Sequence, residues 1–175
     1  LLTRLLRANV SAICMHTNLD VAEGGVNDVL AQALGIRKPE RFTNEGAGRC
    51  GWRAEPMALQ EFVRLVSKAL GCNGVRYADA GKPVHRVAVG GGACGEFEDA
   101  AIYAGCDTFV TSDLSYHQFV DAKVKGINLI DAGHFPTEDP VCEKVIAFLS
   151  GRFPSLRVQK SASHKEAIQY YVEGE

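Results

Sequence analysis

Two short segments pair a histidine with a carboxylate at spacings that suit a divalent metal ion. The later one, Asp131-Ala132-Gly133-His134-Phe135-Pro136-Thr137-Glu138, sets an imidazole and a carboxylate four residues apart. Neutral imidazole nitrogen and carboxylate oxygen together suit zinc, manganese or iron. The segment follows the apolar run 127–130, so a strand would deliver His134 at its end, and Gly133 allows close backbone approach. Thr137 is expected to cap a helix with Glu138 in its first turn. A purely structural reading carries equal weight here: Glu138 complements a helix dipole and His134 is a hydrogen-bonded strand end. The earlier segment, His16-Thr17-Asn18-Leu19-Asp20, offers Asp20 as a metal ligand and His16 as a ligand or proton carrier. Taken alone it reads more readily as a turn shaped by Asn18 and Asp20.

Two further segments bear on the same chemistry. In Thr111-Ser112-Asp113-Leu114-Ser115-Tyr116-His117 a strand ends at Asp113 and a helix opens at Tyr116. Asp113 reads either as a pocket wall that orients ligands or as a helix cap, a role Ser115 could also fill. His117 joins His16 as a candidate for proton transfer or substrate contact. Gly90, Gly92 and Gly95 match G-x-G-x-x-G between a strand and a helix, with Asp113 about 20 residues on. That keeps dinucleotide binding open, although it leaves both histidine–carboxylate segments unexplained. The same turn could instead hold a phosphate on bare N–H groups.

The elements that must position these groups follow from apolar periodicity. A short strand is expected over 10–15, a helix from Val26 to Leu34 stopped by Gly35, and an irregular stretch over 37–57. Apolar residues at 59, 62, 63, 65, 66, 69 and 70 make a helical stripe closed by Gly71. The second half alternates strands 84–89, 108–111 and 127–130 with helices 96–104, 116–125 and 138–149. A last strand is expected over 156–159 and a short surface helix beyond Ser161 carrying Tyr170 and Tyr171. This rhythm gives an α/β class, a layered mixed sheet flanked by helices. Its polar residues gather at the carboxyl ends of strands, where open sheets bind ligands. Two lobes around a cleft are expected, 1–52 with 127–175 and 53–126.

Composition narrows the partners. Hydrophobic residues make up 46% and charged residues 23% of 175, with a net charge of −2. That balance argues against nucleic acid and against an anionic membrane surface. Six cysteines, at 14, 50, 72, 94, 106 and 142, include no C-x-x-C pair. Buried thiols in a reducing cytoplasm account for them. No apolar run approaches the roughly 20 residues that span a bilayer. The chain starts without Met in an amphipathic pattern, with Leu1, Leu2, Leu5 and Leu6 on one side and Arg4 and Arg7 on the other. Further residues are therefore expected upstream.

In order, His16-Thr17-Asn18-Leu19-Asp20 with Gly24-Gly25-Val26-Asn27-Asp28, then Val89-Gly90-Gly91-Gly92, Thr111-Ser112-Asp113 with Tyr116-His117, and Asp131-Ala132-Gly133-His134 with Thr137-Glu138 resemble one family closely. This is the Nif-three-like dinuclear-metal family, whose members are often labelled GTP cyclohydrolase I type 2 homologues. The resemblance implies metal ligation by Asp20, His134 and Glu138, two divalent ions per site (zinc, iron or manganese) and a homohexameric toroid. It also implies a pair of adjacent histidines upstream of His16, which this sequence lacks, and a glycine where Ser112 stands. The expected function is metal-dependent hydrolysis of a nucleotide or other phosphate-containing small molecule. The rival from another class is a metal- or nucleotide-binding assembly without turnover.

Overall fold

Three short apolar runs separated by helices supply the middle of a single sheet. The computed structural model describes residues 1–171. Helices α1 (Leu2–Arg7), α2 (Thr17–Asp20) and α3 (Val26–Ala33) precede strands β1 (Arg37–Glu40) and β2 (Arg49–Met57) and helix α4 (Leu59–Leu70). Strands β3 (Arg76–Ala78) and β4 (Val84–Val89) lead through a 3-10 turn at Gly95–Phe97 into α5 (Glu98–Tyr103) and β5 (Thr108–Thr111). Helix α6 (Tyr116–Lys125), β6 (Asn128–Asp131), α7 (His134–Glu138) and α8 (Val141–Arg152) follow. The strand order is β1-β2-β4-β5-β6-β3, with β4, β5 and β6 parallel and the other pairings antiparallel. Both expected lobes contribute strands to this one sheet.

Strand alternation sorts the core into two layers. Val87, Val89, Val110 and Ile130 point to one face, where they meet Leu30 of α3, Leu34 at its C-terminal cap, and Phe62 and Val66 of α4. Ala88, Phe109 and Leu129 point to the other, against Ala101 of α5 and Ala122 of α6. Strands covered on both sides are apolar throughout rather than alternating, which is why these runs stand out in the sequence. Gly71 (φ 64°) and Gly126 (φ 76°) terminate α4 and α6 in the left-handed region.

Several expected elements differ. The run 10–15 is no strand: it pairs with no strand among the described residues, and Ile13 is 85% exposed. Apolarity selects buried strands, but a strand also needs a partner for its N–H and C=O groups. The stretch 37–57, expected to be irregular, holds β1 and β2. Its prolines are tolerated because Pro39 sits on the sheet edge and Pro56 lies where the β2–β4 register breaks. Gly51 is needed within β2, since a Cβ there would stand 2.5 Å from Arg37 O of β1 and 2.8 Å from Ile36 Cγ2. The helix expected over 96–104 is split into the 3-10 turn and α5. The one expected over 138–149 is divided between α7 and α8, with Pro140 at the junction. Residues 156–159 form no strand, and 161–171 form no helix. No helix among the described residues is long and apolar enough to cross a membrane.

Arg49 ties these pieces together. Its side chain, 5% exposed, pairs with Asp28 of α3, and its Nη1 donates to the carbonyls of Gly46 and Gly48 at 3.1 and 2.9 Å. Removing one partner of a buried pair strands the other charge, so Arg49→Ala is expected to cost about 3 kcal/mol. The exposed Glu40, paired with Arg86, is 63% accessible, and Glu40→Ala should cost under about 1 kcal/mol. Urea denaturation of the two variants checks the contrast.

Candidate metal centre

The parallel register brings three loops to one edge of the sheet. Past β4, Gly90 N–H donates to Val110 O at 2.9 Å; past β5, Ser112 N–H donates to Gly92 O at 3.1 Å; past β6, Ala132 N–H donates to Thr111 O at 2.9 Å. Gly90-Gly91-Gly92, Ser112-Asp113 and Asp131–His134 therefore hang side by side. Buried side chains lock the arrangement. Asn27 Oδ1 accepts from Gly91 N–H at 2.9 Å while Asn27 Nδ2 donates to Asp20 O at 3.0 Å. Thr137 Oγ1 accepts from Gly92 N–H, and Thr111 Oγ1 donates to Gly92 O, both at 3.0 Å. The N–H groups of all three glycines are thus engaged within the protein, which removes the expected phosphate cradle and the dinucleotide turn. Thr137 lies within α7 instead of capping a helix.

His134 is held at both ring nitrogens. Asp113 Oδ2 lies 2.5 Å from Nδ1, and Glu138 Oε1 lies 3.2 Å from Nε2. A carboxylate on Nδ1 fixes the tautomer that leaves the Nε2 lone pair free for a ligand. Asp113 takes a positive φ of 55° to reach this position, a conformation that aspartate tolerates better than most residues. It is not needed as a cap, because Ser115 forms a capping box with Gln118 at the start of α6. Two atoms each about 2.1 Å from one ion stand roughly 3.0–3.5 Å apart, which matches the Nε2–Oε1 spacing. Gly92 leaves the room: a Cβ there would collide with Glu138 Oε1 and lie 3.2 Å from His134 Nε2.

Asp20 and His16 line the same cleft as His134 and Glu138, a cavity of about 420 Å³. Burial raises the Asp20 pKa above its ordinary value, with His16 and His134 pulling it partly back. The ligating atoms of Asp20, His134 and Glu138 do not all lie within 4.8 Å of one another; the group of three that does, among the described residues, is Asp139, Cys142 and His164. His117 stacks edge-on against Tyr116 on the exposed side of α6 and does not line this cleft. Burial lowers the His134 pKa, but the Asp113 hydrogen bond and the Glu138 charge outweigh it, and the net shift is upward. Cys94 sits beneath the turn, its Sγ 3.3 Å from Gly91 O, and burial with the charges of Asp20, Glu96 and Glu138 pushes its thiol up to about 12.

The profile of the Duf34/NIF3 (NGG1p interacting factor 3) family matches residues 1–167. The chain belongs to the DUF34/NIF3 family. Similar relatives are proteins named GTP cyclohydrolase 1 type 2 homolog: one from Nostoc is 34% identical over 94% of this chain and 65% of its own length. Another, from Clostridium perfringens, is 32% identical over 86% of this chain and 60% of its own length. This DUF34/NIF3 chain thus spans under two thirds of these relatives. Among solved structures, a hypothetical protein from Staphylococcus aureus superposes with a TM-score of 0.88 at 25% identity, over 97% of this chain and 71% of that one. Reduced HcgD from Methanocaldococcus jannaschii gives 0.74 at 25% identity, over 87% and 61%. The mixed α/β fold is the one shared across this family.

The residues that sequence reasoning passed over as functional are Asn27 and Thr111, both 0% exposed. A buried polar side chain beside a glycine turn was the available signal, since such groups must find partners. The role of Gly92 is testable against Gly81, which has a similar φ (74° against 69°) but nothing within 4 Å of its would-be Cβ. Gly81→Ala should cost about 1 kcal/mol from backbone strain alone. Gly92→Ala should lose measurably more by thermal or urea melting, because Glu138 and His134 must also move. Equal losses would contradict the crowding.

Proposed function

We propose that Asp20, His134 and Glu138 hold divalent metal and that the protein is a metal-dependent hydrolase acting on a nucleotide or other phosphate-containing small molecule. The observation that carries this reading is His134, fixed at Nδ1 by Asp113 and presenting Nε2 beside Glu138 over a glycine with no side chain. The donor set suits zinc, manganese or iron. When bound, such an ion lowers the pKa of water and polarises a phosphoryl or carbon centre. The chain's own groups do the rest. Glu138 offers a second carboxylate oxygen, Asp20 adds a carboxylate from the same cleft, and His16 carries protons. Its Nδ1 stands 3.0 Å from Thr17 Oγ1, leaving Nε2 for substrate.

The names of the relatives support a cyclohydrolase-like reaction, and the family resemblance supports two ions per site and a hexameric assembly. No adjacent histidines occur in this sequence, so the ligands assigned to this chain are the three named. The second reading, a metal-holding assembly without turnover, shares the same site. The dinucleotide reading is left without support, because the glycine N–H groups are already bonded.

Calorimetric titration of dialysed protein with zinc or manganese should give binding that weakens at least about 10-fold in Glu138→Ala. Binding should also weaken as pH falls through the His134 pKa, which lies above the ordinary 6.5, because a proton competes for Nε2. In the metal-free protein the sign reverses. The charge pairing of His134 contributes stability fully below pH 6.5 and loses it as pH rises through the raised value. A panel of nucleotides and phosphoesters then separates the readings. Turnover by the metal-loaded protein that disappears in Glu138→Ala supports the hydrolase, and tight binding without turnover supports the assembly.

A further inference from the structure

The C-terminal tail crosses the cleft that holds Asp20 and His134, and it brings its own histidine. Asp139, at the end of α7, and Cys142, in the first turn of α8, lie three residues apart with Pro140 between them, and Cys142 N–H donates to Asp139 O at 3.0 Å. His164 comes from the tail, where His164 N–H donates to Ser161 O at 3.1 Å. Its Nε2 stands 3.1 Å from Asp139 Oδ1 and 4.0 Å from Cys142 Sγ, and the three donor atoms all lie within 4.8 Å of one another. The His164 ring is steadied by Phe135, with ring centroids 4.8 Å apart.

Both contacts fall on the same imidazole nitrogen. A cysteine nucleophile activated by histidine and oriented by aspartate uses the two opposite ring nitrogens, so this is not a catalytic relay. Sulfur, nitrogen and oxygen converging on one point instead have the spacing of ligands around a common ion, roughly 3–4 Å for tetrahedral zinc. Asp139 Oδ1 is buried and makes no directional hydrogen bond, although Lys160 Nζ is 2.5 Å away. The ammonium group occupies the neighbourhood a cation would take.

We infer that Asp139, Cys142 and His164 form a second, mononuclear site for zinc or another thiophilic divalent ion, distinct from the Asp20–His134–Glu138 centre. Binding displaces the Lys160 ammonium from Asp139, and Cys142 gives up its proton to solvent as the metal–sulfur bond forms. With three protein ligands, a fourth position would be left to water or a small anion. Because His164 lies on the tail, the ion fastens Lys165 to Ile168, which line the same cleft, against α7 and α8.

Cobalt(II) distinguishes this site from the first, since a thiolate ligand gives a sulfur-to-cobalt charge-transfer absorption in the near ultraviolet and a site of nitrogen and oxygen does not. The reduced, metal-free full chain titrated with cobalt(II) should develop that band, and zinc should abolish it. The band should persist in Glu138→Ala and in Cys94→Ser, and vanish in Cys142→Ser. His164→Ala, on the tail and outside every helix and strand, should weaken cobalt binding at the band at least about 10-fold. The inference is overturned if no band forms, if it survives Cys142→Ser, or if Cys94→Ser removes it. Unchanged affinity in His164→Ala overturns it as well.

Discussion

His134 is gripped from both ends of its ring, and each grip comes from a different part of the fold. Asp113 arrives from the loop after β5, Glu138 from one turn further along α7, and Gly92 from the loop after β4 clears the space between them. None of these contacts survives a change in the register of β4, β5 and β6, because the loops are bonded to one another through Val110, Gly92 and Thr111. The sheet is therefore the positioning device. The two core layers that fix its register keep His134, Asp113 and Glu138 in their mutual places.

Charge makes sense of the same cluster. The chain as a whole is nearly neutral, yet Asp113 and Glu138 flank one imidazole. In the absence of an ion, a proton on His134 offsets this concentration of negative charge, which is why its pKa moves up despite burial. Asp20 responds in the opposite manner: burial holds its proton more tightly. The His134 shift describes a cleft that attracts positive charge. A proton and a divalent ion are alternative occupants of it. The tail adds a second example, where Lys160 lies against Asp139.

Much of this was legible in the sequence because the central strands are buried on both faces. Strands 84–89 and 108–111 and helices 59–70 and 116–125 could be bounded from apolar runs and closing glycines alone. The ends of those strands then named His134, Asp113 and the glycine turn. What stayed hidden depends on partners that local pattern does not encode. β2 was obscured by Pro56 and Gly51, both of which turn out to answer to neighbouring strands. The run 10–15 looked like a strand and had none to pair with. Asn27, Thr111 and Thr137 matter because of hydrogen bonds to residues far along the chain, and His164 meets Cys142 only through the path of the tail.

The central claim is that Nε2 of His134 is the lone pair presented to metal while Asp113 keeps Nδ1 protonated. Long-range proton–nitrogen correlation of the imidazole rings, recorded on the labelled protein before and after one equivalent of zinc, reads both nitrogens separately. The account predicts a bound-type shift at Nε2 of His134 and a protonated Nδ1 that hardly moves. A His134 ring indifferent to zinc, or one that takes the metal at Nδ1, would contradict it.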